Sequence, residues 1–393
     1  MQKAKFLRIA VFNRNFAPTG GGAERYSIAL VEQLAARHEV HVFAQQIDHD
    51  WPGVTYHQVS APLKKPRWVN QLWYATATWW ATRQGFDVVH SHENTWHGNV
   101  QTVHVLPVWH NLFQGRTGFR RVLRWLKVVT SPRLLTYLGF ELSRFRGGVD
   151  GAERCVVVTS DSLRDVMAAT FPACASALSV LVPGVDAPEG VASAAERQSA
   201  RTALGLPQGV PCLLLVGNDY RKKGLNSTLD ALELLSKNNP SAVLAVVGNT
   251  AQKAQFEVKA KSLGLAERVF FLGALSDVTP AYQAADVLVH PTLEDTFAMV
   301  VLEAMAQGLP VVVSGVSYCG ISTLLSNRHN ALLLSNPHDA AALAQAVSQA
   351  LNDAPLRQTL INNAREFALS HAWPEKGRQQ EAIYFAVASK PKV

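Results

Sequence analysis

The sequence predicts an α/β protein made of two doubly wound, parallel-sheet (Rossmann-like) domains with a cleft between them. Apolar runs of strand length alternate with helical patterns along both halves of the chain, which is typical of parallel sheets. A stretch rich in proline, glycine and small residues, "LVPGVDAPEGVASAAERQ", separates the halves and is interpreted as a linker. A length of 393 residues is enough for two domains with sizeable cores.

The expected domain boundaries follow from these segments. We interpret residues 1–183 as an N-terminal domain, residues 184–200 as the linker and residues 201–366 as a C-terminal domain. Residues 367–393 have helical patterns and are expected to pack back on the N-terminal domain. In open parallel sheets ligands bind outside the carboxyl ends of the strands, so both ligand-binding edges are expected to face the cleft.

The N-terminal domain opens with a strand–loop–helix–strand unit. The strand "LRIAVFN" is followed by the turn "PTGGGAER", the helix "YSIALVEQLAAR" and the strand "HEVHVFA". The glycines Gly20, Gly21 and Gly22 permit positive φ and close backbone approach to a phosphate or a sugar, although turns commonly contain glycine. Further strands are predicted at "DVVHSH", "VQTVHVL" and "RCVVVTS".

The C-terminal domain repeats the alternation, with helices such as "GLNSTLDALELLSK" between the strands. Its predicted strands are "PCLLLVG", "AVLAVVG", "RVFFLG", "DVLVHP" and "LPVVVS". Arg221, Lys222 and Lys223 follow the first of these strands, where cations can neutralise a diphosphate leaving group. The alternative interpretation of the triplet is a solvated run of charge.

Two acids flank an apolar run in "HPTLEDTFAMVVLEAMAQGLPVVVS". Asp295 is expected at the entrance of a helix that begins near Thr296 or Phe297 and runs to Gly308, with Glu303 about two turns along it. A helix N-terminus favours an anion such as a diphosphate, beside which Asp295 can bind sugar hydroxyls and Glu303 a ribose diol. The alternative is that Asp295 only caps the helix and Glu303 is solvated.

The composition excludes several classes of protein. An apolar content of 48% and a charged content of 17% are typical of a globular chain and not of a disordered one. The four cysteines lack paired spacing, which argues against a disulfide framework and a zinc knuckle and fits a reducing compartment. Because the first residues lack a signal-peptide pattern and no stretch approaches a spanning helix, we expect a cytoplasmic protein.

Histidines cluster in the N-terminal half, but their spacing matches no common metal site, so no bound metal is predicted. The five histidines are His90, His92, His97, His104 and His110. His104 is predicted to end the strand "VQTVHVL", where it is either a site residue or a histidine with ordinary partners at a strand edge. His90 and His92 are interpreted as structural.

Positive charge is concentrated between Gly115 and Gly148, which we call the basic window. The window accounts for the net charge of +7 of the whole chain, because it holds eight basic residues and only one acid, Glu141. Three interpretations are a nucleic-acid surface, a membrane-surface element and a solvated helix pair. Within it, "FRRVLRWLKVV" has the pattern of a basic amphipathic helix, which favours the membrane surface. Its basic side chains are Arg120, Arg121, Arg124 and Lys127.

The acid-containing segment resembles the signature of the retaining glycosyltransferases of family 4, which have the GT-B fold. "GGGAER" is similar to the N-terminal glycine loop of that family, and "VGNDYRKKGL" to its basic phosphate loop. "GNDYRKKG" and "HPTLEDTF" look most like segments of transferases of the lipopolysaccharide core, such as the enzyme that adds the first glucose to the inner-core heptose. Asp295 departs from the usual glutamate, and Asn218 from the usual arginine.

The resemblance implies roles for individual residues. Asp295, or its neighbour Glu294, would hold the donor sugar, and Glu303 the ribose of the nucleotide. Lys223, with Lys222 next to it, would face the diphosphate, and His104 would lie near the sugar. The remaining residues implied to bind the donor are Gly21, Gly22, Phe297, Ala298 and Met299.

The implied activity is transfer of a hexose, with retention of configuration, from a UDP-sugar to a lipid-linked saccharide. The setting would be synthesis of the lipopolysaccharide core or another cell-surface glycan, with the protein peripheral at the inner face of the cytoplasmic membrane. No metal or other cofactor and no nucleic acid are implied. Two alternatives are a nucleotide-sugar epimerase of the same fold and a non-catalytic nucleotide-sugar binder.

Overall fold

The computed structural model describes residues 6–18, 20–63, 65–146, 154–236 and 239–389. The chain divides into two compact units. The first unit consists of Met1–Pro183 and Trp373–Val393, and the second of Gly184–Ala372.

The first unit contains a parallel sheet, which in the described residues has seven strands, and a separate pair of short strands. The strands in chain order are β1 (Arg8–Phe12), β2 (Asn15–Phe16), β3 (Glu39–Ala44), β4 (Gln46–Ile47), β5 (Val54–Gln58), β6 (Val88–Ser91), β7 (Val100–Val103), β8 (Cys155–Val158) and β9 (Leu178–Val180). The sheet order is β5-β3-β1-β6-β7-β8-β9, and β2 pairs with β4. The central strands are almost wholly buried, because helices cover the sheet.

Six helices precede the second unit in the described part of the chain. They are α1 (Gly22–Ala35), α2 (Arg67–Thr82), α3 (Val108–Phe113), α4 (Gly118–Val129), α5 (Pro132–Phe145) and α6 (Asp161–Thr170). A 3₁₀ helix, Pro172–Ala177, follows α6. Helix α5, which lies within the basic window, packs against α2, α3 and α4.

The second unit is a doubly wound parallel sheet, with six strands among the described residues. The elements in chain order are α7 (Ala194–Ala203), β10 (Cys212–Val216), α8 (Leu225–Leu235), β11 (Val243–Val247), α9 (Lys253–Ser262), β12 (Val269–Gly273), α10 (Thr279–Ala284), β13 (Val287–His290), α11 (Met299–Ala306), β14 (Val311–Ser314), β15 (Leu332–Leu334), α12 (Ala340–Asn352) and α13 (Ala354–Leu369). The sheet order is β12-β11-β10-β13-β14-β15. Three further 3₁₀ helices are Thr250–Gln252, Ala266–Arg268 and Gly320–Leu324.

The last helix, α14 (Trp373–Ala388), belongs to the first unit. It packs against α1, where the rings of Trp373 and Tyr26 lie 5.5 Å apart. The hydroxyl of Tyr384 lies 2.6 Å from Nδ1 of His90 at the end of β6.

The structure differs from the sequence-based expectation at the linker. Residues 184–200 were interpreted as a linker, but they belong to the second unit, in which α7 begins at Ala194 and contacts α10. The helix begins here because Ser193 and Glu196 form a capping box: the Ser193 hydroxyl accepts from the Glu196 N–H, and the Glu196 carboxylate accepts from the Ser193 N–H. The pattern S-x-x-E was a local signal that the small residues around it concealed.

Among the described residues, no helix is both long enough and apolar enough to span a membrane.

Candidate active site

The order of strands in the second unit reverses between β10 and β13. From β10 the chain moves outward through β11 and β12, and it then returns to the other side of β10 with β13, β14 and β15. In open parallel sheets, ligands bind outside the carboxyl ends of the strands at such a switch point. The loops that leave β10 and β13 are residues 217–224 and 291–298, and they form the candidate site.

A glycine allows these two loops to touch. Gly224 has a φ of +80°, and a Cβ atom there would lie 2.0 Å from the carbonyl oxygen of Pro291. The N–H of Leu293 donates to the carbonyl of Lys222 at 2.8 Å. Because only glycine permits this approach, Gly224 fixes the lysine-bearing loop against the loop that carries the acids.

Lys223 and Asp295 form an ion pair across the contact between the loops. Nε2 of His290, the last residue of β13, lies 3.1 Å from the same oxygen of Asp295, Oδ2. The other oxygen, Oδ1, accepts from the N–H of Phe297 at 3.3 Å. The side chain of Asp295 is 14% exposed and that of His290 is fully buried, so the carboxylate is held in place from three directions.

The electrostatics fix the charge states of this group. Burial alone would raise the pKa of Asp295, but the hydrogen bond from His290 and the charge of Lys223 outweigh it, and the pKa falls below its ordinary value. Burial lowers the pKa of His290, so its imidazole is neutral at pH 7. Because a carboxylate only accepts, the proton of the neutral ring is assigned to Nε2. The site therefore holds a carboxylate anion beside a lysine cation.

The neighbouring acid and base form a second, more exposed pair. Nζ of Lys222 lies 2.9 Å from Oε1 of Glu294, and the two side chains are 55% and 43% exposed. The two candidate sugar-side acids thus differ in environment: Glu294 faces solvent, whereas Asp295 is enclosed.

Helix α11 begins later than expected. It starts at Met299, not at Thr296 or Phe297, because Ala298 adopts a left-handed conformation with a φ of +76°. It ends at Ala306. A residue other than glycine in this conformation costs about 1 kcal/mol. The alternative interpretation, in which Asp295 is the N-cap, is wrong. Ala298 occupies the N-cap position, and no side chain caps the helix there. The predicted phosphate-facing backbone of Phe297, Ala298 and Met299 lies at the beginning of α11.

Glu303 lies one turn into α11 and has a specific partner. The hydroxyl of Tyr282, a buried residue of α10, donates to its Oε2 at 2.6 Å. The interpretation that Glu303 is merely solvated is therefore wrong. Tyr282 therefore orients the carboxylate of Glu303.

The glycine loop lies in the first unit, at the end of the β1 and β2 region. Gly21 is the N-cap of α1 and Gly22 is its first residue. Neither glycine adopts the positive φ that its residue type permits, since Gly21 has a φ of −86° and Gly22 begins the helix. Close approach occurs instead at Gly20, where a Cβ would lie 2.7 Å from Cβ of Glu24. Glu24 completes the cap by accepting from the Gly21 N–H at 2.8 Å.

His104 lies directly after β7, beside a cavity of about 380 Å³ in the first unit. Its Nε2 is 3.0 Å from Nδ1 of His92, and the two rings are stacked. Burial lowers the pKa of His104 to about 4, so the ring is neutral at pH 7 and is a weak base. Gln101, Tyr137 and Glu141 also line the cavity, which gives it a partly polar wall.

The basic amphipathic helix expected from the sequence is α4. Its apolar residues Phe119, Val122 and Leu126 are exposed, and Val128 is its only buried residue. The basic residues predicted for this surface are Arg120, Arg121, Arg124 and Lys127, of which Arg124 is half-buried. The guanidinium of Arg121 lies over the ring of Phe113. Residues 147 and 148 of the basic window lie outside the described residues.

In the part of the chain that the structure describes, no group of three or more His, Cys, Asp or Glu side chains is placed to hold a metal ion. His90 illustrates why the histidine cluster is not such a group. Its Nδ1 contacts the hydroxyl of Tyr384 and its Nε2 that of Thr102 at 2.8 Å, so both ring nitrogens have protein partners.

Comparison with known families agrees with both halves of the chain. Residues 20–188 match the profile described as Glycosyltransferase Family 4, and residues 196–367 match that of Glycosyl transferases group 1. The chain belongs to the family 4 glycosyltransferases, which have the GT-B fold. This confirms the family expected from the signature segments and favours a transferase over the epimerase alternative.

Two curated proteins that are similar in sequence to this family 4 glycosyltransferase are themselves named as sugar transferases. It is 31% identical to the lipopolysaccharide glucosyltransferase WaaG of Escherichia coli K12 over 184 residues, which are 46% of this chain and 48% of WaaG. It is 28% identical to the D-inositol 3-phosphate glycosyltransferase of Corynebacterium diphtheriae over 246 residues, 60% of this chain and 56% of the relative. The chain thus spans about half the length of the curated relatives it matches.

Solved structures share the fold of this family 4 glycosyltransferase over nearly the whole chain. The crystal structure of WaaG, a glycosyltransferase involved in lipopolysaccharide biosynthesis, has a TM-score of 0.81 at 23% identity and covers 96% of this chain and 99% of its own. The structure of Anabaena HepE in complex with UDP and glucose has a TM-score of 0.74 at 17% identity and covers 97% and 99%.

Sequence reasoning missed two residues of the candidate site, His290 and Tyr282. His290 was included in the strand "DVLVHP" without a role, although its place at the carboxyl end of a strand was a usable signal. Tyr282 lies 21 residues before Glu303, and no local pattern connects them. His92, the partner of His104, was interpreted only as structural.

Proposed function

We propose that this protein transfers a hexose from a UDP-sugar to a lipid-linked saccharide, with retention of the anomeric configuration. The observation that supports the proposal most is the Lys223–Asp295 pair at the switch point of the second sheet, with Glu303 on the adjoining helix. Cationic, sugar-binding and ribose-binding groups then lie at the edge where parallel sheets bind ligands.

The lysines supply the main electrostatic contribution in this proposal. As the bond between sugar and diphosphate breaks, negative charge grows on the leaving group. That charge is stabilised by Lys223, by Lys222 beside it and by the start of α11. Because these groups are already in position, the protein does not have to rearrange as the charge develops, and this is usually a large catalytic contribution. A bound metal is not required for this, because the cations belong to the protein.

Asp295 is the better placed of the two sugar-side acids. It is enclosed and held by Lys223 and His290, whereas Glu294 is exposed and its partner is the exposed Lys222. When the diphosphate takes over the charge of Lys223, the Asp295 carboxylate is able to accept from hydroxyls of the donor sugar. The departing phosphate then takes the proton of the attacking hydroxyl, so the protein needs no separate nucleophile.

The first unit is assigned the acceptor in this proposal. The cavity beside His104 offers hydrogen-bonding side chains, and Gly21 and Gly22 begin helix α1 in the same unit. A neutral His104 positions a hydroxyl by hydrogen bonding, since burial keeps its pKa near 4. The exposed basic helix α4 holds the protein reversibly at an anionic membrane, where a lipid-linked acceptor is found.

The names of relatives support the chemistry of donor and acceptor. WaaG of Escherichia coli is a lipopolysaccharide glucosyltransferase, and HepE of Anabaena was solved with UDP and glucose. We therefore infer that UDP-glucose is the first donor to examine, followed by UDP-galactose and the UDP-N-acetylhexosamines. A lipopolysaccharide core that lacks its first hexose is the first acceptor.

The function is tested by incubating the protein with radiolabelled UDP-glucose and that truncated core. We expect label in the lipid fraction, and NMR of the product should show the same anomeric configuration as the donor. Conversion of the sugar without any acceptor would instead establish an epimerase, and an inverted product would overturn the retaining mechanism.

Changing Glu303 to alanine should weaken UDP binding about 10- to 100-fold. The reason is that a carboxylate bound to both ribose hydroxyls contributes about 1.5–3 kcal/mol, which the variant loses. Isothermal titration calorimetry with UDP measures the change.

Two variants make that measurement specific. Glu257→Ala removes an exposed glutamate of α9 and should bind UDP as the wild type does. Tyr282→Phe keeps the Glu303 carboxylate but removes its hydrogen bond, and should weaken binding less than Glu303→Ala. Equal affinity of Glu303→Ala and the wild type would exclude the ribose contact.

A further inference from the structure

Helix α2 buries mostly small and polar side chains and exposes large apolar ones, which is the reverse of the usual arrangement. Its buried positions are Gln71, Tyr74, Ala75, Thr78 and Thr82, which are mostly small or polar. Thr78 and Thr82 donate their hydroxyls to carbonyls four residues earlier, at 2.7 Å in both cases.

The exposed side of the same helix is strongly apolar. We call it the tryptophan face, and it consists of Leu72, Trp73, Trp79 and Trp80. These side chains are 41%, 44%, 42% and 65% exposed, and their spacing places them on one side of a helix. A helix of a soluble domain normally directs such residues inward, so this arrangement indicates a surface that something else covers.

The segment of the chain that contains the tryptophan face is basic. Between Trp51 and Phe86 the sequence has no acidic residue and four basic ones, Lys64, Lys65, Arg67 and Arg83. Arg67 is the first residue of α2 and Arg83 is its C-cap, so cations lie at both ends of the apolar stripe. The guanidinium of Arg83 lies over the ring of Trp80 at 4.9 Å.

We propose that the tryptophan face of α2 docks on an anionic lipid bilayer, as a contact separate from that of α4. Indole rings have an apolar body and one N–H donor, and they favour the headgroup level of a membrane. Basic side chains at both ends of the stripe match anionic headgroups on either side of a helix that lies parallel to the surface. An acidic protein or a second copy of the chain would have to match the same all-basic border.

The tryptophan face and the surface already assigned to the membrane share a supporting helix. Helix α5 packs against both α2 and α4, so one helix supports the two exposed apolar stripes. The inference rests on the proposed function in one respect, since a lipid-linked acceptor is what brings the protein to a bilayer. The tryptophan face contributes apolar insertion and α4 contributes mainly charge, because α4 alone carries four basic residues in twelve.

Sedimentation with vesicles tests the proposal. The vesicles contain phosphatidylcholine with about 30 mol% phosphatidylglycerol, a composition close to an anionic leaflet. Trp79→Ser/Trp80→Ser should bind them at least about tenfold more weakly than the wild type, because two large interfacial side chains are lost. The matched control Val258→Ser/Leu369→Ser removes two exposed apolar side chains of the second unit and should bind as the wild type does.

A second variant reports the position of the rings. Trp79→Phe/Trp80→Phe keeps the face apolar and should still bind, but brominated lipids should quench its tryptophan fluorescence less than that of the wild type. Equal quenching of the two proteins, or wild-type sedimentation of Trp79→Ser/Trp80→Ser, would overturn the proposal. So would a wild-type dimer in analytical ultracentrifugation that the serine variant lacks, because a second copy would then be the occupant.

The contribution of α4 is measured in the same assay. The variant Arg120→Ser/Arg121→Ser/Arg124→Ser should also reduce sedimentation. The control variant Lys253→Ser/Lys259→Ser/Lys261→Ser on α9 changes the net charge equally and should sediment as the wild type does. Thermal unfolding of every variant, monitored by circular dichroism, verifies folding. Wild-type protein that binds these vesicles through α2 but transfers no hexose would defeat the proposed function and leave the α2 contact standing.

Discussion

Replacing Lys223 by methionine should lower kcat for hexose transfer about 100- to 1,000-fold at saturating donor. Methionine retains much of the length of the side chain but removes the cation that faces the diphosphate as charge develops. Loss of one preorganised group of this kind costs roughly 3–4 kcal/mol of transition-state stabilisation. The measurement is the initial rate of transfer from UDP-glucose to the truncated core.

A neighbouring cation supplies the control for Lys223. Arg221 lies in the same loop, is exposed and contacts Gln255 at 3.3 Å, away from the Asp295 pair. Arg221→Met should therefore reduce kcat less than about threefold. A near-normal rate for Lys223→Met would mean that the diphosphate binds elsewhere. Thermal unfolding of both variants separates loss of charge from loss of fold.

Replacing Asp295 by asparagine should reduce both the transfer rate and the stability, the latter only above about pH 4. The folded-state pKa of Asp295 lies below its unfolded value, because His290 and Lys223 outweigh the effect of burial. A depressed pKa contributes stability that is present above the unfolded value, about 3.9, and is lost as the pH falls toward the folded value. The free energy of unfolding should therefore differ between wild type and variant by on the order of 3 kcal/mol at pH 7.

The pH dependence distinguishes this carboxylate from an ordinary one. The difference between wild type and Asp295→Asn should shrink as the pH is lowered from about 4, because the carboxylate of the unfolded chain then takes up a proton while the folded one stays ionised. Asp230→Asn, which removes an exposed partner of Lys259, should show little difference at any pH. A difference for Asp295→Asn that stays constant from pH 7 to pH 3 would exclude the assigned charge state. Urea titrations monitored by circular dichroism provide these energies.

The sheet of the second unit could be predicted from sequence because its strands are buried on both faces. Parallel strands of this kind are continuous apolar runs, and "CLLLV", "VLAVV" and "VVVS" have no other simple interpretation. The strands that were not predicted are short or mixed in character. Strand β5 has the mixed sequence "VTYHQ", and strands β9 and β15 have only three residues each.

The candidate site was predictable to the extent that it follows strand ends. Lys223 and Asp295 are 72 residues apart in sequence, yet both were expected at the carboxyl edge of the sheet, and the structure joins them. Their direct pairing could not be predicted, because it depends on β10 and β13 being adjacent. The predicted start of α11 was wrong, because no sequence rule places an alanine in the left-handed region.

The paired loops of the second unit have a consequence for ligand discrimination. Residues 217–224 and 291–296 together carry three cations and three anions, so the two loops have no formal net charge. Free inorganic phosphate, abundant in any cell, meets no surplus of positive potential there and gains little by entering. A nucleotide-sugar engages several separated groups at once, and this chelation compensates for opening the internal ion pairs.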